Sequence, residues 1–315
     1  MPTAFLNGKF IDQDAATLSA FDAGVQHGVG LFETMLARAD DEGDPDVIGL
    51  VEHLERLIGS ATALGLSNSL QRDALADAVI ATVRRSKLTE DGGRARVRLT
   101  VTGGDLNLLG RHGATKARSH EEGESGGTQE GHDPTILIHA QPATAYPREM
   151  FERGVAVTIA DMKLNPLDPM AGHKTLNYWG RLRELQLAAA KRAAEAIVLQ
   201  VTNHLGGGCV SNVFIVKDGR LLTPIARGEE VAGAIPSPVL PGIARAMVIA
   251  HAREQKMEIE QRMLTIDDLL GADEVFLTNS SWGVLPVVKV EREAIGDGVV
   301  GGVTKELMGA YPRAV

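Results

Sequence analysis

The 315 residues include 32 Lys+Arg against 41 Asp+Glu, a formal charge of -9, with 44% hydrophobic and 4% aromatic residues. A chain of this size holds two ordinary domains whose cores need neither disulfide nor metal, and its acid excess disfavours a basic nucleic-acid-binding face. The single cysteine, Cys209, excludes an internal disulfide and fits a reducing compartment. No run reaches the ~18 apolar residues of a membrane span, and the start has no charged-then-apolar leader layout. The expectation is a soluble cytoplasmic protein without nucleic-acid or membrane partners.

Asn7-Gly8 between short apolar runs predicts a β-hairpin over Ala4–Ile11. Val51, Leu54, Leu57, Ile58, Ala61 and Leu64 follow helical spacing, as do Leu75, Ala78, Val79 and Val83 within Arg72–Arg85. Alternation over Arg94–Thr102 predicts a strand with Arg94, Arg96 and Arg98 on one face, too cationic for a core. The segment 110–134 lacks Val, Ile, Leu, Met, Phe, Tyr and Trp and reads as a mobile polar insertion. Its histidines, His112, His120 and His132, are too irregularly spaced to predict a metal site. The match of Gly123, Ser125 and Gly127 to a hydrolase elbow lacks the flanking strand and helix.

Thr135–Ala140 reads as a strand, and the prolines of Gln141–Pro147 place a domain boundary there. The expected organisation is a small α/β domain over 1–141, a linker over 142–147 and a larger domain over 148–315. In the second half, strands are expected at Val155–Ala160, Ala196–Val201, Asn212–Val216, Arg220–Thr223, Glu274–Thr278 and Pro286–Val290. Helices are expected from about Leu176 to Ala194, from about Gly242 to Glu254, and at Ile266–Leu270. Strands and helices mix without strict alternation, which makes the fold class α+β rather than doubly wound.

Several residues bear chemistry singly. Pro241-Gly242 before a helical pattern leaves the amides of Ile243 and Ala244 at a helix start, where anions bind. Thr278-Asn-Ser-Ser281 offers hydroxyls after a strand. Arg56 sits beside Glu55, for which a surface ion pair is the plain alternative. Lys174 lies between a Pro/Gly turn and a helix; a lysine is usually a solvated charge, but a desolvated one supplies a free amine for a Schiff base. The P-loop reading of Gly172-His-Lys174-Thr175 fails, because Gly is absent directly before the lysine and at the earlier position.

Taken in order, Gly28-Val-Gly-Leu-Phe32-Glu-Thr34, His53-Leu-Glu-Arg56, Lys174-Thr-Leu-Asn177, Ser211-Asn212, Leu240-Pro-Gly-Ile243 and Thr278-Asn-Ser-Ser281 resemble the class IV (fold-type IV) pyridoxal-phosphate aminotransferase and lyase family. The resemblance implies a two-domain enzyme, a small α/β domain followed by a larger pseudo-barrel domain, acting as a homodimer on a small amino substrate with pyridoxal 5'-phosphate as cofactor. It implies that Lys174 holds the cofactor and moves the substrate's α-proton, and that Arg56, the amides of Ile243 and Ala244, and Ser280 with Ser281 grip the phosphate. A dianion wants that combination of guanidinium, helix N-terminus and hydroxyls. Tyr178 reaches the cofactor's phenolic oxygen or packs in its helix. Arg98, with Phe32, meets a substrate carboxylate or shares a solvated face with Arg94 and Arg96.

The main departure from the family pattern is Gly207, which stands where the family places a glutamate against the pyridine nitrogen; Val29 and Ala244 depart from a usual aspartate and threonine. Either another group or a water serves the nitrogen, or the reaction needs a weaker electron sink, or activity is lost. Of the branches, Gly30-Leu-Phe-Glu-Thr34 and Asn279-Ser-Ser-Trp-Gly-Val-Leu-Pro-Val287 are most similar to 4-amino-4-deoxychorismate lyase, which yields 4-aminobenzoate and pyruvate for folate synthesis. The aromatic product helps drive that elimination, so the lyase tolerates Gly207 better than transamination does. A branched-chain or other amino acid aminotransferase is the alternative. The D-amino acid branch is disfavoured by the missing arginine near Gly103.

Overall fold

The computed structural model describes residues 3–105 and 134–312. The polar insertion expected over 110–134, with its histidines and Ser125, lies outside the described residues apart from Pro134. The chain forms two compact units: Met1–Ala143 with Lys174–Asn177, and Thr144–His173 with Tyr178–Val315. Architecture and sequence reading agree on mixed α+β structure, and the strands lie in two sheets.

In the first unit β1 (Thr3–Leu6) and β2 (Lys9–Asp12) form the expected hairpin. Asn7 (φ 46°) and Gly8 (φ 84°) both take the positive φ that a tight two-residue turn requires. With β3 (Gly30–Ala39), β4 (Pro45–Val47), β5 (Ala95–Thr102) and β6 (Ile136–Pro142) they make a six-stranded sheet in the order β2-β1-β6-β5-β3-β4. Alternation sorts the two faces. Leu31, Met35, Val97, Leu99 and Val101 pack with α2 (Leu50–Ala63) and α3 (Arg72–Ser86), which bury Leu54, Leu57 and Ala61, and Leu75, Val79 and Val83. Val51, expected on that apolar stripe, is instead 48% exposed. The opposite face of β5 and β3 carries Arg96, Arg98 and Phe32. The short helix α1 (Ala23–His27) is capped by Asp22, which accepts from Gly24 N–H.

The second unit is built on a nine-stranded sheet. Its strands are β7 (Val155–Leu164), β8 (Glu195–Gln200), β9 (Leu205–Gly208), β10 (Asn212–Lys217), β11 (Arg220–Thr223), β12 (Ile259–Gln261), β13 (Glu274–Asn279), β14 (Gly283–Val290) and β15 (Glu293–Ala294), in the order β12-β11-β10-β13-β14-β7-β8-β9 with β15 on β14. The pairs β7–β8, β7–β14 and β11–β12 are parallel and the others antiparallel. The helices are α4 (Arg148–Glu152), α5 (Trp179–Ala190), α6 (Ile243–Glu254), α7 (Ile266–Leu270) and α8 (Gly302–Leu307). Stacked Phe214 and Phe276, with ring centroids 4.9 Å apart, lie in the apolar core.

The helix expected from about Leu176 starts at Trp179, because the preceding backbone is used elsewhere. Lys174 O accepts from Phe32 N–H (3.0 Å) and Leu176 N–H donates to Gly30 O (2.9 Å), so this segment bridges to the part of β3 that β4 does not cover. The expected strand Ala196–Val201 begins one residue earlier, at Glu195, which turns out to matter for the site. The strand β9 falls on three consecutive glycines, whose local signal is that of a loop.

Candidate functional site

On the first unit, the site face follows from register. Phe32 pairs with Thr100 and Thr34 with Arg98, which places Phe32 diagonal to Arg98 on one face. The Arg98 guanidinium stacks 3.9 Å from the Phe32 ring centroid, and the Lys174 amine lies 4.5 Å from the same centroid. Phe32 is buried, while Arg98 and Lys174 are half-buried. His139, opposite Arg98 on β6, is held below the usual imidazole range by burial and then by Arg98 and Arg96. That shift reports a cationic neighbourhood. Arg94 precedes β5, and Arg96 is exposed and donates to Gln141 Oε1. The three arginines therefore do not share one environment, and Arg98 is not part of a simple solvated face.

The adjacent residue, Glu33, points the other way, into the helix-covered face. It is 1% exposed and takes Arg56 Nε (2.8 Å), Arg56 Nη2 (2.6 Å) and His53 Nδ1 (2.7 Å). This sets aside the plain alternative of a surface ion pair: Arg56 is 10% exposed and bonded to Glu33, while Glu55 meets Arg72 at 3.4 Å in solvent. Burial acts to raise the Glu33 carboxyl, but the Arg56 and His53 contacts overcome it and hold it at about 2. Burial also keeps His53 below its ordinary range, so its neutral ring donates Nδ1–H to the carboxylate. Glu33 fixes the orientation of Arg56 by a two-point grip.

On the second unit, Asn212 joins three of the sequence blocks. It pairs with Thr278 across β10–β13, and its Nδ2 donates to Leu240 O at 2.8 Å, just before α6. Asn279 Nδ2 donates to Val210 O at 3.3 Å, and Asn279 Oδ1 accepts from Ser281 and Trp282 N–H, shaping the turn that carries Ser280 and Ser281. Ile243 and Ala244 are buried in the first turn of α6, which no side chain caps. The amides of such a turn have no intrahelical partner. Beside Asn212, Thr278 Oγ1 is buried with no hydrogen-bond partner among the described residues. Tyr178 is half-buried at the N-terminal boundary of α5, and the Arg181 guanidinium lies 5.6 Å from its ring centroid.

The turn around Gly207 holds a residue that sequence reasoning missed. No acid lies between Thr202 and Val216 in sequence, yet Glu195 on β8 reaches this turn. Its carboxyl accepts from Ala196 N–H (3.0 Å), Cys209 N–H (3.1 Å), Val210 N–H (3.2 Å) and Ser211 Oγ (3.1 Å). Arg181 Nη1 braces the other side by donating to Gly208 O (3.3 Å) and Cys209 O (2.9 Å). Burial raises the Glu195 carboxyl against the opposing pull of these donors, and burial with Glu195 pushes the Cys209 thiol up to about 12. The thiol is therefore unreactive. The available signal is one glutamate inside the apolar run Ala193-Ala-Glu-Ala-Ile-Val-Leu199, since a buried charge needs partners.

Gly207 has φ +122°, and a Cβ there would lie 2.8 Å from Ser211 O. Gly207→Ala is expected to cost roughly 1–3 kcal/mol, as strained backbone does, read as a lower urea midpoint. An unchanged midpoint refutes the account. Gly207→Glu carries the same strain, so it is a poor way to restore a carboxylate to this turn.

Residues 30–290 match the family described as Amino-transferase class IV. The chain is 32% identical over 305 residues to a putative branched-chain-amino-acid aminotransferase of Methanocaldococcus jannaschii, covering 96% of this chain and 93% of the relative. A branched-chain amino acid aminotransferase of T.th., solved with pyridoxamine 5'-phosphate, superposes with TM-score 0.81 at 25% identity, over 98% of this chain and 92% of that one. The 4-amino-4-deoxychorismate lyase from Pseudomonas aeruginosa superposes with TM-score 0.74 at 26% identity, over 97% of each chain.

Proposed function

Because the chain belongs to the class IV amino-transferases, we propose that it is a pyridoxal-phosphate-dependent aminotransferase acting on an amino acid, with branched-chain amino acids as the first candidates. The observation that carries this reading is the pairing of the Lys174 amine with the Arg98 guanidinium around the buried Phe32 ring. One supplies a nucleophile and proton carrier, the other a cation for a carboxylate. The names of the relatives support amino acids as substrates.

The donor set of the second unit suits the cofactor's phosphate: an uncapped helix start at Ile243 and Ala244, the Ser280 and Ser281 hydroxyls, and the orphaned Thr278 hydroxyl beside them. In this reading Tyr178 serves the phenolic oxygen. When bound, the cofactor supplies an aldehyde that condenses with an amine and a ring that accepts electrons as the α-proton leaves. Lys174 takes that proton at Nζ and returns it. Arg98 holds the substrate carboxylate, and the Phe32 ring packs against both cations. No membrane-crossing helix occurs among the described residues. A homodimer in the cytoplasm completes the reading, and sedimentation of the purified protein checks the dimer.

A second reading, 4-amino-4-deoxychorismate lyase, is favoured by Gly207, whose backbone leaves no place for a side-chain carboxylate. Protein loaded with pyridoxal phosphate is screened with leucine and 2-oxoglutarate and, separately, with aminodeoxychorismate. Transfer of the leucine amino group supports the first reading; 4-aminobenzoate without transfer replaces it with the second. A colourless protein that takes up no cofactor, and shows no visible band bleached by borohydride, overturns both in favour of a non-catalytic scaffold.

A further inference from the structure

The segment between β11 and α6 does more than connect them. Its base is fixed to α6: Arg245, 2% exposed, pairs with both Glu229 oxygens (2.7 and 2.8 Å) and donates to Pro224 O (2.9 Å). Glu229 also accepts from Ala226 N–H (2.8 Å). A buried guanidinium satisfied this fully is costly to disturb, so the loop base has one position. Ser237 closes the loop by donating its hydroxyl to Ile225 O and its N–H to Glu230, and Arg227 N–H donates to Val239 O. Besides Gly228 and Glu229, the tip, residues 231–236, is exposed.

From that fixed base the Arg227 side chain reaches the turn that precedes Lys174. Its Nη1 donates to Ala171 O at 3.0 Å. Its stem and Ser237 O cover Gly172, which has φ +78° and where a Cβ would lie 2.8 Å from Ser237 O and 2.9 Å from Arg227 Cδ. The glycine serves both the left-handed backbone and the close approach.

We propose that Arg227 is a positioning residue that holds the Ala171–Gly172 turn against the loop anchored on α6, and thereby sets where the backbone delivers Lys174. The proposal rests on the reading that Lys174 is the reacting amine. His173, between the turn and the lysine, is held below its ordinary range by burial and then by the Arg227 charge, in keeping with the close approach of Arg227. Displacement of a reacting group by about 1 Å costs on the order of 100-fold in rate, so a loosened turn is read in kcat before KM.

The test uses Arg227→Met, which keeps the stem, and Arg227→Lys, which keeps a donor. Hydrogen exchange of the Ala171 and His173 amides is followed in cofactor-free protein, with kcat, KM and cofactor content measured after loading. Arg227→Met is expected to speed that exchange about tenfold and, by the misplacement argument, to lower kcat by about tenfold or more. Cofactor content and α6 exchange stay at the wild-type level, and Arg227→Lys recovers part of both losses. If Arg227→Met leaves exchange and kcat unchanged, the positioning role is wrong while the functional reading stands. If wild-type protein takes up no cofactor, the functional reading falls, and unchanged exchange then removes the clamp as well. Should Arg227→Met fail to fold, Arg227→Lys decides, since wild-type exchange and kcat in that variant with a shortened reach overturn the proposal.

Discussion

Lys174→Ala is expected to abolish turnover and the borohydride-sensitive visible band while leaving the protein folded. The loss combines two functions, since the amine is both the covalent attachment point and the proton carrier. Proton transfer by a positioned side chain alone contributes about 100- to 10,000-fold, so a fall of at least ~10,000-fold is the expectation once attachment is lost too. The fold should tolerate the change because the segment docks through its backbone: the bonds to Phe32 N–H and Gly30 O do not involve the lysine side chain. What is lost structurally is one partly exposed cation over an aromatic ring, worth about 0.5–1 kcal/mol. Lys174→Arg separates charge from chemistry. It keeps a cation near Phe32 but offers no amine that condenses with an aldehyde, so it should be as inactive as the alanine variant. Substantial turnover in either variant removes Lys174 from the reaction.

The residues most legible in the sequence are those whose signal is local. Asn7-Gly8 announces its hairpin because two positive φ values in succession are a two-residue demand. The apolar stripe of α3 shows in a window shorter than the helix. The ordered blocks around Phe32, Lys174, Ser211, Gly242 and Ser280 carry the family, and Asn212 shows physically why three of them travel together. The site's partnerships are less legible because they cross the chain. The sequence around Arg56 shows only a neighbouring Glu55 and the plain alternative of a surface ion pair, whereas the fold brings Glu33 to it from β3. Glu195 is invisible as a member of the Gly207 turn until β8 and β9 are paired, since the glycines that allow that pairing look like loop. The helix after Lys174 starts later than its apolar spacing suggests for the same reason: periodicity does not register that the preceding backbone bonds to β3.

Glu33→Gln is expected to produce the largest loss of stability. The substitution keeps the shape but leaves Arg56 and His53 facing a neutral amide on the buried side of the sheet, and breaking a buried pair this way costs roughly 3–5 kcal/mol. The shift of the carboxyl gives a second route to the magnitude. A group held at about 2 against 4.5 in the unfolded chain contributes about 3 kcal/mol at neutral pH, since each pH unit between the two values is worth about 1.4 kcal/mol. Because the folded value is the lower one, that contribution is complete above 4.5 and disappears as the pH falls toward 2. His53 adds an earlier loss, since its depressed folded value favours the neutral ring and its share of stability begins to fall as the pH drops through 6.5. Asp268, held at about 2 first by Arg262, contributes its own acid limb. That pair is absent from the first unit and is common to wild type and variant, so it cancels in their difference. Urea midpoints measured from pH 7 to pH 3 should therefore show a gap between wild type and Glu33→Gln that is widest at neutral pH and narrows below 4.5. Two parallel curves, or equal midpoints at pH 7, would show that the Glu33 carboxylate contributes no net stability to the Arg56 and His53 cluster.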